Sequence, residues 1–389
     1  MTRPPSAATS TQERLREAAD RIRLQAQAAA ADNERARRLT PELVEALRES
    51  GLLRSGAPES LGAAQAAPAV SLECAETIAR GDASTGWCVS IALTTSLLAA
   101  YLPPEAAAEL LGDPHSIPAG VWAPRAKARP VDGGVSVSGR WSFGSGVSHA
   151  DVFFGGCLLD DGRTDDNGGP TMRVVGIPTA QLRILDTWHT SGLRGTGSQD
   201  VVAEEVFVPA HRILSLSDSP LIDAPLYRFP VFGYFALAVA AAALGNARGA
   251  IDDLTDLAVN KVAIGSRRTL AQKSATQSAV ARAEAALRAA RTFFYAAVDD
   301  AWCTALDGAV TLEQRTALRL AATHAAHTSA EVVRTMYDLG GASALYDDSP
   351  LQRRFRDASA VTAHIQVSPA TWETTGRILL GVPTDVDRL

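Results

Sequence analysis

Hydrophobic and polar positions change their period twice along the chain, and the two changes divide it into three parts. Up to about residue 110 apolar residues recur at helical spacing. Thr40 stands where an N-cap belongs, Pro41 takes the first helical position, and Gly51 ends the run LVEALRES. Between about 115 and 215 alternation takes over. VSVSGRWSF, DVFFGGCLL, MRVVGIP and DVVAEEVFVP are separated by turns such as Asp160–Pro170, which predicts a β-domain of roughly six to eight strands. From Phe229 to Leu380 the spacing is helical again, in long alanine-rich segments that break near Gly308 and at Gly340-Gly341. Pro220–Pro230 is the expected hinge between sheet and bundle. The last strong pattern, Pro350–Pro369 (PLQRRFRDASAVTAHIQVSP), reads as one helix stopped by Pro369, with Arg356, Ala360 and His364 on one face. The expected parts are residues 1–112, 113–220 and 221–389 of an α+β chain.

Two of the predicted helices are apolar all round. Ala83–Pro104 has 22 residues without a charge and Phe229–Ala247 has 19. Both exceed the roughly 18-residue length that flags a membrane span. The first is rich in Ser and Thr, the second in Ala, and neither has aromatic belts or basic flanks. Both are therefore expected inside a helical protein or a subunit interface, with no membrane partner. A net charge of -6, with no basic run longer than a pair such as Arg353-Arg354, gives no case for nucleic acid. The 4 cysteines are far apart and show no CxxC spacing, which points to a reducing cytoplasm. The N-terminus enters a charged helix without an apolar signal region. His324 and His327 share a helical face, but no carboxylate completes a triad, so no metal is expected.

The order of helices, strands and helices carries five blocks. They are LTPELVEALRESGLLRSGAPESLG, GDASTGW at 81–87, GRWSFGSGVSHAD at 139–151, TWHTSGLRGTGSQDV at 187–201, and the C-terminal block around Arg356-Asp357. Over nearly its whole length the chain resembles the acyl-CoA dehydrogenase superfamily. The resemblance implies an N-terminal helical domain, a middle β-barrel-like domain and a C-terminal four-helix bundle. Within that superfamily the blocks look most similar to the group D, two-component flavin-dependent monooxygenases. Among these they look closest to the indole-oxidising enzymes of bacterial indolosesquiterpene biosynthesis.

The resemblance implies a site. A flavin ring needs a flat apolar wall and polar groups near its reactive edge. Trp141 and Phe143 would supply the wall, with Trp122 also at the cofactor. Gly144 and Gly146 would let the backbone approach, and Ser145 would offer its hydroxyl. The same residues also suit a strand ending in a Gly-Ser turn with core aromatics. Trp188 and Ser191 are the implied contacts from the glycine-rich loop, and Gly340-Gly341 matches a glycine pair beside the cofactor. The usual phosphate-binding Arg-x-x-Phe-Gly is absent from 260–268, so Lys261, Arg267 or Arg268 would substitute. Trp87, Ser90 and Thr94 share a face that would line the substrate pocket, with Phe235 near it. His149 is expected to be structural or on the surface.

One position separates two chemistries. Dehydrogenases of the superfamily commonly carry a catalytic glutamate at the place Ile365 takes here, and the alternative place for that base falls near Phe235; neither is an acid. The oxygenase branch has a histidine where His364 stands. His364 and Ser145 are thus the expected catalytic residues, and a buried histidine in the core is the plainer alternative for the first. The implied activity is hydroxylation of an aromatic or heteroaromatic compound through the C4a-hydroperoxide of reduced FAD or FMN, with O2 as co-substrate. His364 would act as acid or hydrogen-bond donor. No GxGxxG fingerprint follows a strand, which fits a separate NAD(P)H-dependent reductase. A homotetramer is implied as well. Acyl-CoA desaturation, N-hydroxylation of an amino sugar and a chemistry-free flavin carrier are the alternatives.

Overall fold

The computed structural model describes residues 7–162, 164, 169–262, 265–387 and 389. Parts of the Asp160–Pro170 turn and of the 260–268 segment therefore lie outside the described residues. The N-terminal helices are α1 (Ala7–Ala36), α2 (Pro41–Glu49), α3 (Pro68–Gly81), α4 (Ala83–Ser96) and α5 (Pro104–Leu111). Pro41 opens α2 as expected, but the Thr40 side chain makes no capping bond; its N–H donates to Asn33 Oδ1 at 2.9 Å instead. Asp82 caps α4, accepting from Thr85 N at 3.1 Å.

The strands are β1 (Pro118–Val131), β2 (Gly134–Gly144), β3 (Val152–Leu159), β4 (Met172–Pro178), β5 (Arg183–Leu185), β6 (Gln199–Pro209) and β7 (Ile213–Leu214). They form one sheet in the order β5-β6-β2-β1-β3-β4-β7, antiparallel except for the β1–β3 pair. Ala126, Trp141, Phe153, Val175 and Val201 come from five different strands and meet in one core. The sheet is therefore curled around its own interior. Its other face, through Phe154 and Val174, packs on α5 and Trp122.

After the short α6 (Pro225–Arg228) come α7 (Val231–Asn260), α8 (Ser274–Asp307), α9 (Leu312–Gly340), α10 (Pro350–Thr362) and α11 (Ala370–Leu379). Three long helices and the shorter α10 form the bundle, in which α7 lies against α9, α10 and also α3. The expected hinge at Pro220–Pro230 is tied down: Leu221 N–H donates to Ala100 O at 2.7 Å and Tyr227 Oη to Gly56 O at 3.2 Å.

Small residues explain why α4 and α7 are apolar on every side. A Cβ on Gly245 would lie 2.1 Å from Glu76 O of α3, and one on Gly86 would lie 2.4 Å from Ala79 Cβ. Backbones can approach this closely only where side chains are absent or are a single methyl. Both apolar stretches are thereby covered by other helices and by the sheet: α4 is buried throughout, and most of α7 is.

Candidate active site

His364 does not continue α10. The last turn tightens, with Ala363 N–H donating to Ala360 O (3.3 Å) and His364 N–H to Val361 O (3.0 Å). Val367 N–H then donates back to His364 O at 3.0 Å. The expectation of one helix to Pro369, with Arg356, Ala360 and His364 on a common face, is corrected accordingly: the helix stops at Thr362. A β-branched pair, Val361-Thr362, precedes this turn, and such residues extend a helix poorly.

The turn carries the imidazole into an aromatic row. Its centroid lies 5.3 Å from Trp87 of α4 and 5.5 Å from Phe235 of α7, edge-on in both cases at 78°. Phe235 in turn lies 5.0 Å from Trp122 of β1. Gln366 N–H donates to His364 Nδ1 at 3.3 Å, so the proton of the neutral ring is on Nε2. Burial, helped by Arg319, lowers the His364 pKa to about 4. The ring is then neutral at physiological pH, with an N–H on Nε2 to donate.

The second centre is a line of buried hydroxyls. Trp87 Nε1 donates to Ser145 Oγ at 3.0 Å; Ser145 Oγ and Ser198 Oγ are 2.8 Å apart, and Ser198 Oγ and Thr196 Oγ1 2.6 Å. Thr196 Oγ1 donates to Leu193 O at 2.7 Å. An indole N–H can only donate and a carbonyl can only accept, so the direction of every proton between them is fixed. Ser145 gives its proton to Ser198 and keeps a lone pair for anything beside it. Ser198 and Thr196 were not singled out in the sequence, although both lie inside the SGLRGTGS pattern.

A bulge sets what surrounds Ser145. The β2–β6 register shifts between Trp141 and Gly144, and Phe143 has φ +69°, unusual for a bulky residue. Trp141 and Phe143 consequently point to different sides. Trp141 is 0% exposed, donates from Nε1 to Gly156 O at 2.7 Å and packs on Phe153; it belongs to the sheet core and is not a cofactor wall. Phe143 is 70% exposed, with Trp188 edge-on at 6.1 Å. Gly144 is glycine for an internal reason, since a Cβ would meet Gln199 O at 2.9 Å. Gly146 has φ +75°.

The glycine-rich loop is pinned to α10. Asp357 Oδ1 accepts from Leu193 N at 2.6 Å, and Arg356 donates to Ser191 O at 2.6 Å while pairing with Glu34. A Cβ on Gly192 would lie 2.1 Å from Arg356 O. Leu193 itself has φ +51°, and its carbonyl also accepts from Trp188 Nε1 at 2.9 Å. Burial, then the nearby Asp82, raises the Asp357 pKa to about 7. The Ser191 side chain is on the exposed rim.

Other expected residues fall as follows. Ser90 is buried and donates to Ala238 O at 2.8 Å, and Thr94 donates to Ser90 O at 2.8 Å. Both hydroxyls are used by helix backbone, so of the expected pocket face only Trp87 meets His364. Lys261 Nζ donates to Gly340 O, which brings Lys261 and Gly340-Gly341 together; Arg267 is exposed nearby in sequence. His149 is half-buried, its pKa lowered to about 4 by burial and then Arg48, and its carbonyl accepts from Arg48.

These features fit a reduced flavin. The exposed Phe143 ring offers an apolar face beside Trp188, and reduced flavin bears an N–H at the nitrogen where the oxidised form has none. Ser145, with only a lone pair to offer, matches that N–H. Neither place expected for an acyl-CoA dehydrogenase base holds an acid: one falls near Phe235, and Ile365, 77% exposed, takes the other.

Comparison with known proteins agrees. Residues 9–113 match the acyl-CoA dehydrogenase N-terminal domain and 237–369 the acyl-CoA dehydrogenase C-terminal domain. The chain is 35% identical to indole-3-acetate monooxygenase of Pseudomonas putida, across 90% of this chain and 89% of that one. It is 31% identical to the flavin-dependent monooxygenase oxygenase subunit HsaA of Rhodococcus jostii, across 87% and 91%. The structure of XiaF from Streptomyces sp. in complex with FADH2 and glycerol superposes with a TM-score of 0.89 at 25% identity, covering 97% of this chain and 98% of that one. The chain belongs to the flavin-dependent monooxygenases built on the acyl-CoA dehydrogenase fold. It is the oxygenase component of a two-component system and works with flavin reduced by a separate protein.

Proposed function

We propose that this oxygenase hydroxylates an indole-type aromatic ring held in the row Trp87–His364–Phe235–Trp122. The observation that carries the reading is the neutral His364 ring between two aromatic edges, its Nε2–H unclaimed by any hydrogen bond among the described residues. Four aromatic rings suit a flat apolar substrate, and relatives named for indole-3-acetate and resorcinol support an aromatic one. Reduced FAD or FMN bound beside Ser145 would supply the electrons that activate O2. Ser145 would accept the cofactor's N–H, Phe143 and Trp188 would cover the ring, and His364 Nε2–H would hold the oxygen being transferred. Trp87 serves both centres, touching His364 with its ring and Ser145 with its N–H. The packed aromatics exclude water, which suppresses loss of oxygen as hydrogen peroxide.

Ser191 on the loop rim, Lys261 beside Gly340-Gly341, and Arg267 or Arg268 would hold the outer parts of the flavin, in part at a subunit boundary of a homotetramer. The electrons would come from an NAD(P)H-dependent reductase in the cytoplasm. Cys74, Cys88 and Cys157 are buried thiols, in keeping with a reducing compartment. The test is direct: protein, reduced FAD, O2 and indole are mixed, and hydroxylated product is compared with peroxide. Product expected in excess of peroxide supports the reading; peroxide alone with every aromatic tried contradicts it.

A further inference from the structure

Behind His364 lies a charge with no counter-ion among the described residues. Arg319, on α9, is 8% exposed. Among the described residues its guanidinium has one hydrogen-bond partner, Gln366 Oε1, and no ion pair. Burial lowers its pKa to about 10, and no acidic neighbour offsets that. Buried ionised groups are ordinarily paired, because an uncompensated charge is expensive to desolvate. Elsewhere the buried Arg354 is paired with Asp253, and the buried Arg54 is held by two backbone carbonyls, Leu61 O and Leu111 O, whereas Arg319 has a single amide oxygen.

The place of Arg319 says what it faces. Gln366 joins it to the catalytic turn, accepting from Arg319 with its side chain and donating to His364 Nδ1 with its backbone. Leu318, one residue earlier, packs against Gly233 in the first turn of α7, the turn that leads to Phe235. Arg319 thus lies beside the His364 turn, close enough for its charge to lower the His364 pKa. A purely structural tie to one amide oxygen would not need a cation or a five-donor fork; the neutral amide of glutamine would do it.

We propose that Arg319 is the subsite for an anionic substituent, a carboxylate, on the aromatic substrate. This rests on the hydroxylase reading above and deepens it: the aromatic row takes the ring and Arg319 takes the charge. A guanidinium binds a carboxylate through paired N–H donors, and the low-dielectric surroundings make that contact stronger than at a surface.

The probes are indole-3-acetate and its neutral isostere indole-3-acetamide, with dissociation constants measured anaerobically by calorimetry in the presence of reduced FAD. The wild type is expected to bind the acetate about 10- to 100-fold more tightly than the amide, the range for hydrogen bonds to a charged group. In Arg319→Met that ratio should fall to near one, and Arg319→Lys, which keeps the charge and guards against a folding defect in the first variant, should retain part of it. Equal binding of both probes by the wild type, or an unchanged ratio in Arg319→Met, overturns the subsite. Hydroxylation of both probes without discrimination would sink Arg319's role alone, whereas hydroxylation of neither would sink the substrate reading.

Discussion

His364 is a histidine whose environment settles its proton. Gln366 N–H takes Nδ1, burial disfavours the cation, and the remaining N–H is on Nε2. Its ring resonances, followed by NMR, should not titrate above about pH 5; a midpoint near the ordinary value of 6.5 would contradict the account. The hydroxyl line makes a second prediction at this scale. Ser198→Ala leaves Ser145 without its acceptor and Thr196 without its donor. It should cost about 1–3 kcal/mol in denaturant unfolding, and it should weaken the preference for reduced over oxidised flavin, because Ser145 regains a proton to donate. Ser145 and His364 stand out in the sequence through the motifs that carry them. Ser198, Thr196 and Arg319 do not, because their meaning depends on what lies opposite them in space. On a helical pattern Arg319 looks like any surface arginine.

At the scale of the element, the bulge at the end of β2 decides most. Strict alternation puts Trp141 and Phe143 on one face, and that is how the pattern reads. The positive φ of Phe143 reverses the second side chain, and hydrophobic period cannot reveal such a residue. Trp141→Ala should therefore cost about 3–5 kcal/mol of stability, as for other large buried rings. Phe143→Ala should stay within about 0.5 kcal/mol of wild type and instead weaken reduced-flavin binding, read by equilibrium dialysis. Equal destabilisation by the two would mean that the bulge is misread. The end of α10 is hidden from the sequence for a similar reason: no glycine marks it, and the helical pattern continues to Pro369 through a turn that the backbone closes with its own hydrogen bonds.

For the whole molecule, the three-part division of the chain was readable because each change of period is long, and the apolar helices were correctly placed inside. Their crossing partners were not, since close approach depends on single glycines such as Gly86 and Gly245. Protonation should couple to global stability with a definite sign. His364 and His149, each lowered from 6.5 to about 4, stay neutral while the unfolded chain takes up protons, so each loses stability as pH falls from about 6.5 to 4. Asp357, raised from 3.8 to about 7, holds its proton longer when folded and acts in the opposite direction, one group against two. The melting temperature should fall between pH 6.5 and 4.5, and less steeply in His364→Gln; a rise over that range would contradict the assignment.

The central claim is that this chain moves one oxygen atom from O2 to an aromatic ring, with His364 keeping that oxygen from escaping. It is tested most directly in a single turnover of the protein with reduced FAD, an indole substrate and isotopically heavy O2, with product and peroxide both analysed by mass. The account predicts heavy oxygen in the hydroxylated product, and in His364→Ala a shift of most of that oxygen into peroxide. Product without the label, or an unchanged division between product and peroxide in the variant, would contradict it.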